Sequence, residues 1–475
     1  MAQTESAHRW SMSGAGTWIA QSLEPGLTKW IALPALVLLG LSTFSGVGGG
    51  NTALFLLFLS FLAVLPFHAG SMLRDPLFVA TTAFLMWIAF IALEPSVGND
   101  PEDAALVRNK AAEWARVFLL PALLVGFWLG RTPRLLPWLP LLVAVGYTVK
   151  VLVLTSPEMF AAFLSGEKRA GYDDDITHFG IYSVVALLAA GTSLGVVHRV
   201  QRRCLRRALY AVAVVCAAVA LGGLIFSQTR AAWLATIVVL AICGLGAVWI
   251  ARQRTGSWRP GLVALGIVVL VMAMAALLFH ELLIARLLKQ SDTVVRVLSG
   301  NWNDMPLDPV GYRIYAWREG IIAWLERPLF GHGPAIDLFR FRGREHPALD
   351  FLMHFHNVYI NLLATWGLVG LLLFGGVALV LGMRAWRAWQ AEILPPSAAV
   401  FLAGSIIALL VFGWFDQILL ADRMPFLLGI LGGIAGITGT SGSGAQPRTH
   451  TTVTVSRQPD SGPKGVPEKA FQSGE

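Results

Sequence analysis

Apolar residues in this chain gather in long unbroken runs rather than at the two-residue or three-to-four-residue spacing of a soluble fold. Twelve runs are read, near residues 30–46, 51–69, 76–94, 112–130, 134–155, 177–198, 206–226, 231–250, 261–283, 357–382, 396–416 and 424–439. Each approaches the about 20 residues that a helix needs to cross a bilayer, and a helix satisfies its own backbone there. The pattern predicts an all-α integral membrane protein with about 12 transmembrane helices. It divides the chain into a cytoplasmic N-terminal segment (1–29), helices 1–9 (30–283), a large outward loop (284–356), helices 10–12 (357–439) and a tail (440–475). The tail is rich in Ser, Thr, Gly and Pro and is expected to be disordered. Residues 1–29 are mixed polar and do not read as a cleavable signal peptide.

Composition sharpens this. Of 475 residues 56% are hydrophobic and 13% charged, where a soluble chain carries about a quarter. The net charge of +8 would suggest nucleic acid in a soluble protein. Here short connections hold the Arg residues, so membrane lipids are the expected partner and nucleic acid is not. Alternate connections contain Arg74; Arg131 and Arg134; Arg199, Arg202, Arg203, Arg206 and Arg207; Arg252, Arg254 and Arg259; Arg384 and Arg387, against the acids Asp75 and Glu392. The opposite connections carry Asp100, Glu102 and Asp103, and Asp173, Asp174 and Asp175. Positive charge stays inside, so both termini are expected in the cytoplasm and the loop 284–356 outside. Cys204, Cys216 and Cys243 have neither disulfide nor metal-ligand spacing.

Ionisable groups in spans are costly and therefore informative. Arg116, Lys150, His178, Arg230, His280, Glu281, His356 and Asp416 all fall towards the outer end of a span or just beyond it. A transporter places such groups near the midplane; this pattern predicts a polar cavity open to the outer leaflet.

Three stretches carry candidate chemistry. In "FSQTRAAWLA" (226–235) the chain reverses with almost no loop and holds Arg230 at the outer interface, where a planar fork of donors suits phosphate oxygens. In "GYRIYAWREGIIAWLERPLFGHGPAIDLF" (311–339), Tyr312, Tyr315, Ile321 and Trp324 recur at near-helical spacing, predicting an amphipathic interfacial helix that Pro328 ends. Arg318 lies about 500° round that helix from Arg313, so one of the two faces the cavity, and Arg313 is favoured. In "HFHNVYINLLATWGLVGLLLF" (354–374) a His-Asn pair opens a span, with Gly367 and Gly370 expected to permit close helix packing. An unperturbed imidazole titrates near 6.5, which suits His356 as a general base towards a sugar hydroxyl; His354 is the alternative.

Thr-Arg-Ala at a tight outer turn, then Arg and Trp before P-L-F-G-x-G-P, then H-N-x-Y-I…G-L-V-G-L, resembles the O-antigen ligase/polymerase family, and most of all its lipopolysaccharide O-antigen ligases. The resemblance extends over roughly residues 30–440, with its specific motifs between 226 and 374. It implies a C-type glycosyltransferase (GT-C) fold with a large periplasmic loop in the bacterial inner membrane. It implies transfer of an undecaprenyl-pyrophosphate-linked O-antigen to a lipid A–core acceptor. His356 would activate the acceptor hydroxyl, while Arg230 and Arg313 would bind the donor pyrophosphate. Arg169, in "GEKRAGYDDDITHFG", is a weaker donor-site candidate, because His178 stands where relatives carry an Asn.

No cofactor is expected, since no ATP-binding loop is present and the resemblance implies metal-independent chemistry. The run Asp173–Asp175 invites a metal reading, but three consecutive Asp cannot all face one ion, and a solvated turn is expected. An O-antigen polymerase, a protein O-oligosaccharyltransferase and a lipid or polysaccharide transporter are the alternatives.

Overall fold

The computed structural model describes residues 24–93, 101–300, 305–306, 308–342 and 352–437. Asp100, residues 1–23 of the N-terminal segment, the tail 440–475 and parts of the large loop lie outside the described residues. Among the described residues the structure is all-helical, 82% helix with no strand. After a π turn at Thr28–Ala32 come α1 (Leu33–Ser45), α2 (Val47–Met72), α3 (Pro76–Leu93), α4 (Pro101–Arg131), α5 (Leu139–Leu154), α6 (Pro157–Leu164), α7 (Ile176–Val197), α8 (Arg203–Phe226), α9 (Arg230–Thr255) and α10 (Arg259–Leu278). The loop region supplies α11 (His280–Leu288), α12 (Ser291–Leu298), α13 (Pro309–Glu326) and α14 (Ile336–Phe341), before α15 (Val358–Gln390), α16 (Pro396–Phe412) and α17 (Met424–Gly436).

Among the described residues ten helices are long and apolar enough to cross a membrane, and α16 and α17 are shorter apolar helices at the last two positions read from sequence. One boundary moves. The fourth run was read from residue 112, yet α4 begins at Pro101, so Glu102 and Asp103 sit in its first turn and not in a connection. Acids there suit the positive end of the helix dipole, and a polar lead-in hides from a hydropathy window.

α7 runs through the middle of the packing, with Phe179, Ile181, Tyr182, Val185, Ala186, Ala189 and Ala190 all buried. At the periphery only 6% of the apolar window of Gly261–Leu278 is buried, leaving Ile267, Val269 and Leu270 exposed, as lipid-facing residues would be. The Gly-rich α17 packs closely instead. A Cβ on Gly429, Gly432 or Gly433 would stand within 2.8 Å of Pro121, Ala122 or Val125 of α4, a contact of small residues that replaces apolar bulk with backbone approach.

α15 is interrupted. Gly367 has φ +63° and ψ −170°, and the freed backbone groups find partners in the P-L-F-G-H-G segment. Leu368 and Val369 N–H donate to the Pro328 and Leu329 carbonyls (3.0 and 3.1 Å), while His332 and Gly333 N–H donate to the Ala364 and Thr365 carbonyls (2.9 Å each). Apolar surroundings demand such replacement. The expectation for Gly367 is therefore corrected: it supplies a left-handed break, and a Cβ there would stand 2.3 Å from the Leu329 carbonyl oxygen. Gly370 does serve close packing, against Trp87.

Candidate functional site

His356 ends the approach to α15. Asn357 caps that helix, its Oδ1 accepting from Tyr359 and Ile360 N–H (2.9 and 3.0 Å) and its Nδ2 donating to the Trp414 carbonyl (3.1 Å). The cap thus ties the start of α15 to the turn that follows α16. His356 itself is left-handed, φ +50°, with its carbonyl accepting from Trp317 Nε1 of α13 at 3.2 Å. Held from two sides, its Nδ1 faces Asp416 Oδ1 at 3.2 Å.

Asp416 is 3% exposed. Burial alone would raise its carboxyl, but the His356 hydrogen bond and the His178 and His354 imidazoles outweigh burial and hold it well below the usual carboxylate range. His354 stacks edgewise on His356 with ring centroids 4.0 Å apart. The two rings meet because both precede the helix, where a spacing of two does not separate faces. Burial first, then the neighbouring His356, pushes the His354 imidazole down to about 4.

The arginines converge beside this pair. At the tight turn before α9, Gln228 is left-handed (φ +50°), which turns the Ser227 and Gln228 carbonyls towards two guanidiniums. Arg169 Nε donates to the Ser227 carbonyl at 2.9 Å and Arg286 Nε to the Gln228 carbonyl at 3.0 Å. Arg230 reaches the Lys289 carbonyl (3.2 Å) and Gln290 Oε1 (2.5 Å), so the loop closes over the turn. Arg313 donates to the Phe415 carbonyl at 3.0 Å, one residue from Asp416, and to the Pro309 carbonyl at 2.7 Å. Burial, then the charges of Arg286, Arg313 and Arg230, brings Arg169 down to about 10, with Asp175 acting the other way. Arg286 is lowered by burial and by Arg230 and Arg313. Four cations thus feel one another, and the acids acting on them are Asp175 beside Arg169 and Asp308 beside Arg230. Guanidiniums grouped in this way have the donors and charge to suit an anion.

The structure groups Arg169, Arg230 and Arg313, and Arg313 links them through the Phe415 carbonyl to the turn that carries Asp416, the partner of His356. It places Arg318 on the exposed face of α13 and Arg116 on that of α4, with His280 and Glu281 at the start of α11. Two further members were missed. Asp416 carried a signal, an acid at a span end, but nothing in the sequence paired it with His356. Arg286 has no local mark that separates it from Lys289 or Arg296.

The three aspartates also resolve differently from a solvated turn. Asp173 and Asp174 both pair with Lys150 and with Arg423, the Arg423 contacts being 2.7 and 3.1 Å, and Lys150 is almost fully buried. Asp175 caps α7. Lys150 in mid-sequence apolar surroundings requires such partners, and the network locks the 165–175 segment onto the turn that carries Asp416. Among the described residues two sets of three side chains have the donor atoms of a metal site: His354, His356 and Asp416, and Asp175, His178 and Asp416.

No curated protein matches the chain, but residues 215–375 match the family model described as O-antigen ligase. The matched segment includes Arg230, Arg286, Arg313 and His356, and leaves Arg169 and Asp416 outside it. The likeness to the O-antigen ligase family is thus carried by residues 215–375, about a third of the chain.

Proposed function

We propose that the chain is an O-antigen ligase of the bacterial inner membrane, joining a preassembled O-polysaccharide to a sugar hydroxyl of lipid A–core. The donor is the undecaprenyl-pyrophosphate-linked glycan, and transfer takes place at the periplasmic face. The observation that carries the reading is a cluster of four arginines whose member Arg313 donates to the Phe415 carbonyl, one residue from the Asp416 that faces His356. The twelve-span GT-C architecture belongs to the same reading, supported by ten long apolar helices and two shorter ones.

The chemistry runs in one displacement. Nδ1–H of His356 donates to Asp416, which leaves Nε2 with a lone pair for the acceptor hydroxyl. That oxygen attacks the anomeric carbon as its proton passes to Nε2, and the bond from that carbon to the pyrophosphate oxygen breaks, with inversion. Undecaprenyl pyrophosphate leaves. Each phosphorus of the donor diester carries one ionised oxygen, and grouped guanidiniums offer planar donors suited to such oxygens. Preorganised cations at a developing oxyanion contribute several kcal/mol, on the order of 3 per donor, so no metal is needed to neutralise the leaving group.

Purified protein supplied with undecaprenyl-pyrophosphate glycan and either lipid A–core or donor alone, with and without chelator, tests this reading. Product only with lipid A–core, unchanged by chelator, supports it. Extension of the donor glycan without acceptor would make the chain a polymerase.

A further inference from the structure

We infer, on the reading that His356 is the general base, that His178 is a positioning residue: its Nε2–H holds the second oxygen of Asp416 while His356 holds the first. Asp416 Oδ1 faces His356 Nδ1 at 3.2 Å and accepts the Gln417 N–H at 2.9 Å, and His354 Nδ1 stands 3.9 Å from the same oxygen. Oδ2 faces His178 Nε2 across 3.9 Å. That nitrogen is buried and has no hydrogen-bond partner. A buried ring N–H is costly to leave unpaired, and an ionised carboxylate is a strong acceptor. The gap exceeds a hydrogen bond, but closure by about 1 Å makes one. Catalytic contacts are often this long until substrate is bound.

His178 is placed for the role. Asp175 caps α7, its Oδ1 accepting the Thr177 and His178 N–H at 2.7 and 3.4 Å. The Ile176 carbonyl accepts from Thr229 Oγ1 at 3.3 Å, and a Cβ on Gly180 would stand 2.8 Å from Thr229 Cβ. The start of α7 is therefore packed on the tight turn that carries Arg230, and His178 reaches from there to the turn after α16. A carboxylate tied through one oxygen can rock about its Cβ–Cγ bond. A donor on the other oxygen fixes its plane, and with it the direction in which His356 Nε2 points. His178 thus acts on the base through Asp416.

The test is a double-mutant cycle in full-length protein, read as transfer from undecaprenyl-pyrophosphate glycan to lipid A–core. His178→Leu, which keeps bulk and loses the donor, should lower kcat about 10–100-fold with the KM for donor within about threefold. His178→Gln, whose amide N–H can stand in for Nε2–H, should recover most of that loss. In an Asp416→Ala background His178→Leu should change kcat less than about twofold, because the residue it acts through is gone. The same cycle in unfolding temperature needs no turnover: the shift caused by His178→Leu should shrink by at least about half without Asp416. Should Asp416→Ala fail to fold, the contrast between His178→Gln and His178→Leu decides. Full activity in His178→Leu, a loss that His178→Gln does not recover, or effects that add in both cycles overturn the inference. Wild-type protein that extends the donor glycan or transfers nothing defeats the ligase reading instead, and the unfolding cycle then decides on the contact alone.

Discussion

His356 Nδ1 and Asp416 Oδ1 meet at 3.2 Å across 60 positions of sequence. The contact fixes the imidazole tautomer, because a carboxylate held ionised accepts from Nδ1–H and leaves Nε2 as the basic atom. Asp416→Asn keeps the shape but can present its amide N–H to that nitrogen, favouring the wrong tautomer. Transfer should fall by about 10²–10⁴, as when a triad carboxylate is replaced by its amide. Donor binding should stay within about threefold, so a fall in donor binding of the same size as the fall in rate would contradict the orienting role.

The arginines should separate by position. Arg230→Ala and Arg313→Ala each remove a guanidinium from the leaving group and should slow turnover about 10²–10³-fold. Arg286→Ala removes a cation whose Nε is anchored on the Gln228 carbonyl; it should raise the KM for donor more than it lowers kcat. Arg318→Ala, on the exposed face, should stay within about twofold. Steady-state kinetics with varied donor measures all four, and an Arg318→Ala defect as large as that of Arg313→Ala would reverse the assignment.

Gly367→Ala tests the helix break. The residue sits at φ +63° with the Leu329 carbonyl oxygen 2.3 Å from where a Cβ would stand. Left-handed strain alone costs about 1–3 kcal/mol, and the overlap would force the P-L-F-G-H-G segment from its hydrogen bonds. A lowered unfolding temperature in detergent is expected, with Gly375→Ala as the control because open space surrounds that position.

Acid should weaken the fold through His354. Its imidazole is pushed down to about 4 in the folded chain, against about 6.5 unfolded. Between those values the unfolded chain binds more protons, so stability falls as pH drops from about 6.5 towards 4. The full effect is up to about 3 kcal/mol, at about 1.4 kcal/mol per pKa unit. Asp416 stays ionised through this window, since its carboxyl is held below it. Thermal unfolding at pH 7.5 and 4.5 should show a smaller acid loss for His354→Gln than for wild type.

The spans were legible because hydrocarbon thickness sets a length that composition alone reveals, and Pro76–Leu93 lies where the third apolar run ends and begins. The start of α4 was not legible, since Glu102 and Asp103 lower hydropathy without stopping a helix. Arg230 and His356 could be chosen as ionisable groups at the outer ends of spans, and Arg313 from its place on the loop helix. Pairing needs the third dimension: nothing local joins Lys150 to Asp173, or Asp416 to His356. Gly367 shows the same limit, because its role depends on a loop some 35 residues away in sequence that supplies the partners for the broken backbone.

The central claim is that His356 takes the acceptor proton beside a separate arginine cradle for the donor. Single-turnover transfer by His356→Ala, measured together with its affinity for the undecaprenyl-pyrophosphate glycan, tests this most directly. The account predicts transfer at background level with donor affinity within about threefold of wild type. Appreciable transfer by His356→Ala, or loss of donor binding in step with activity, would contradict it.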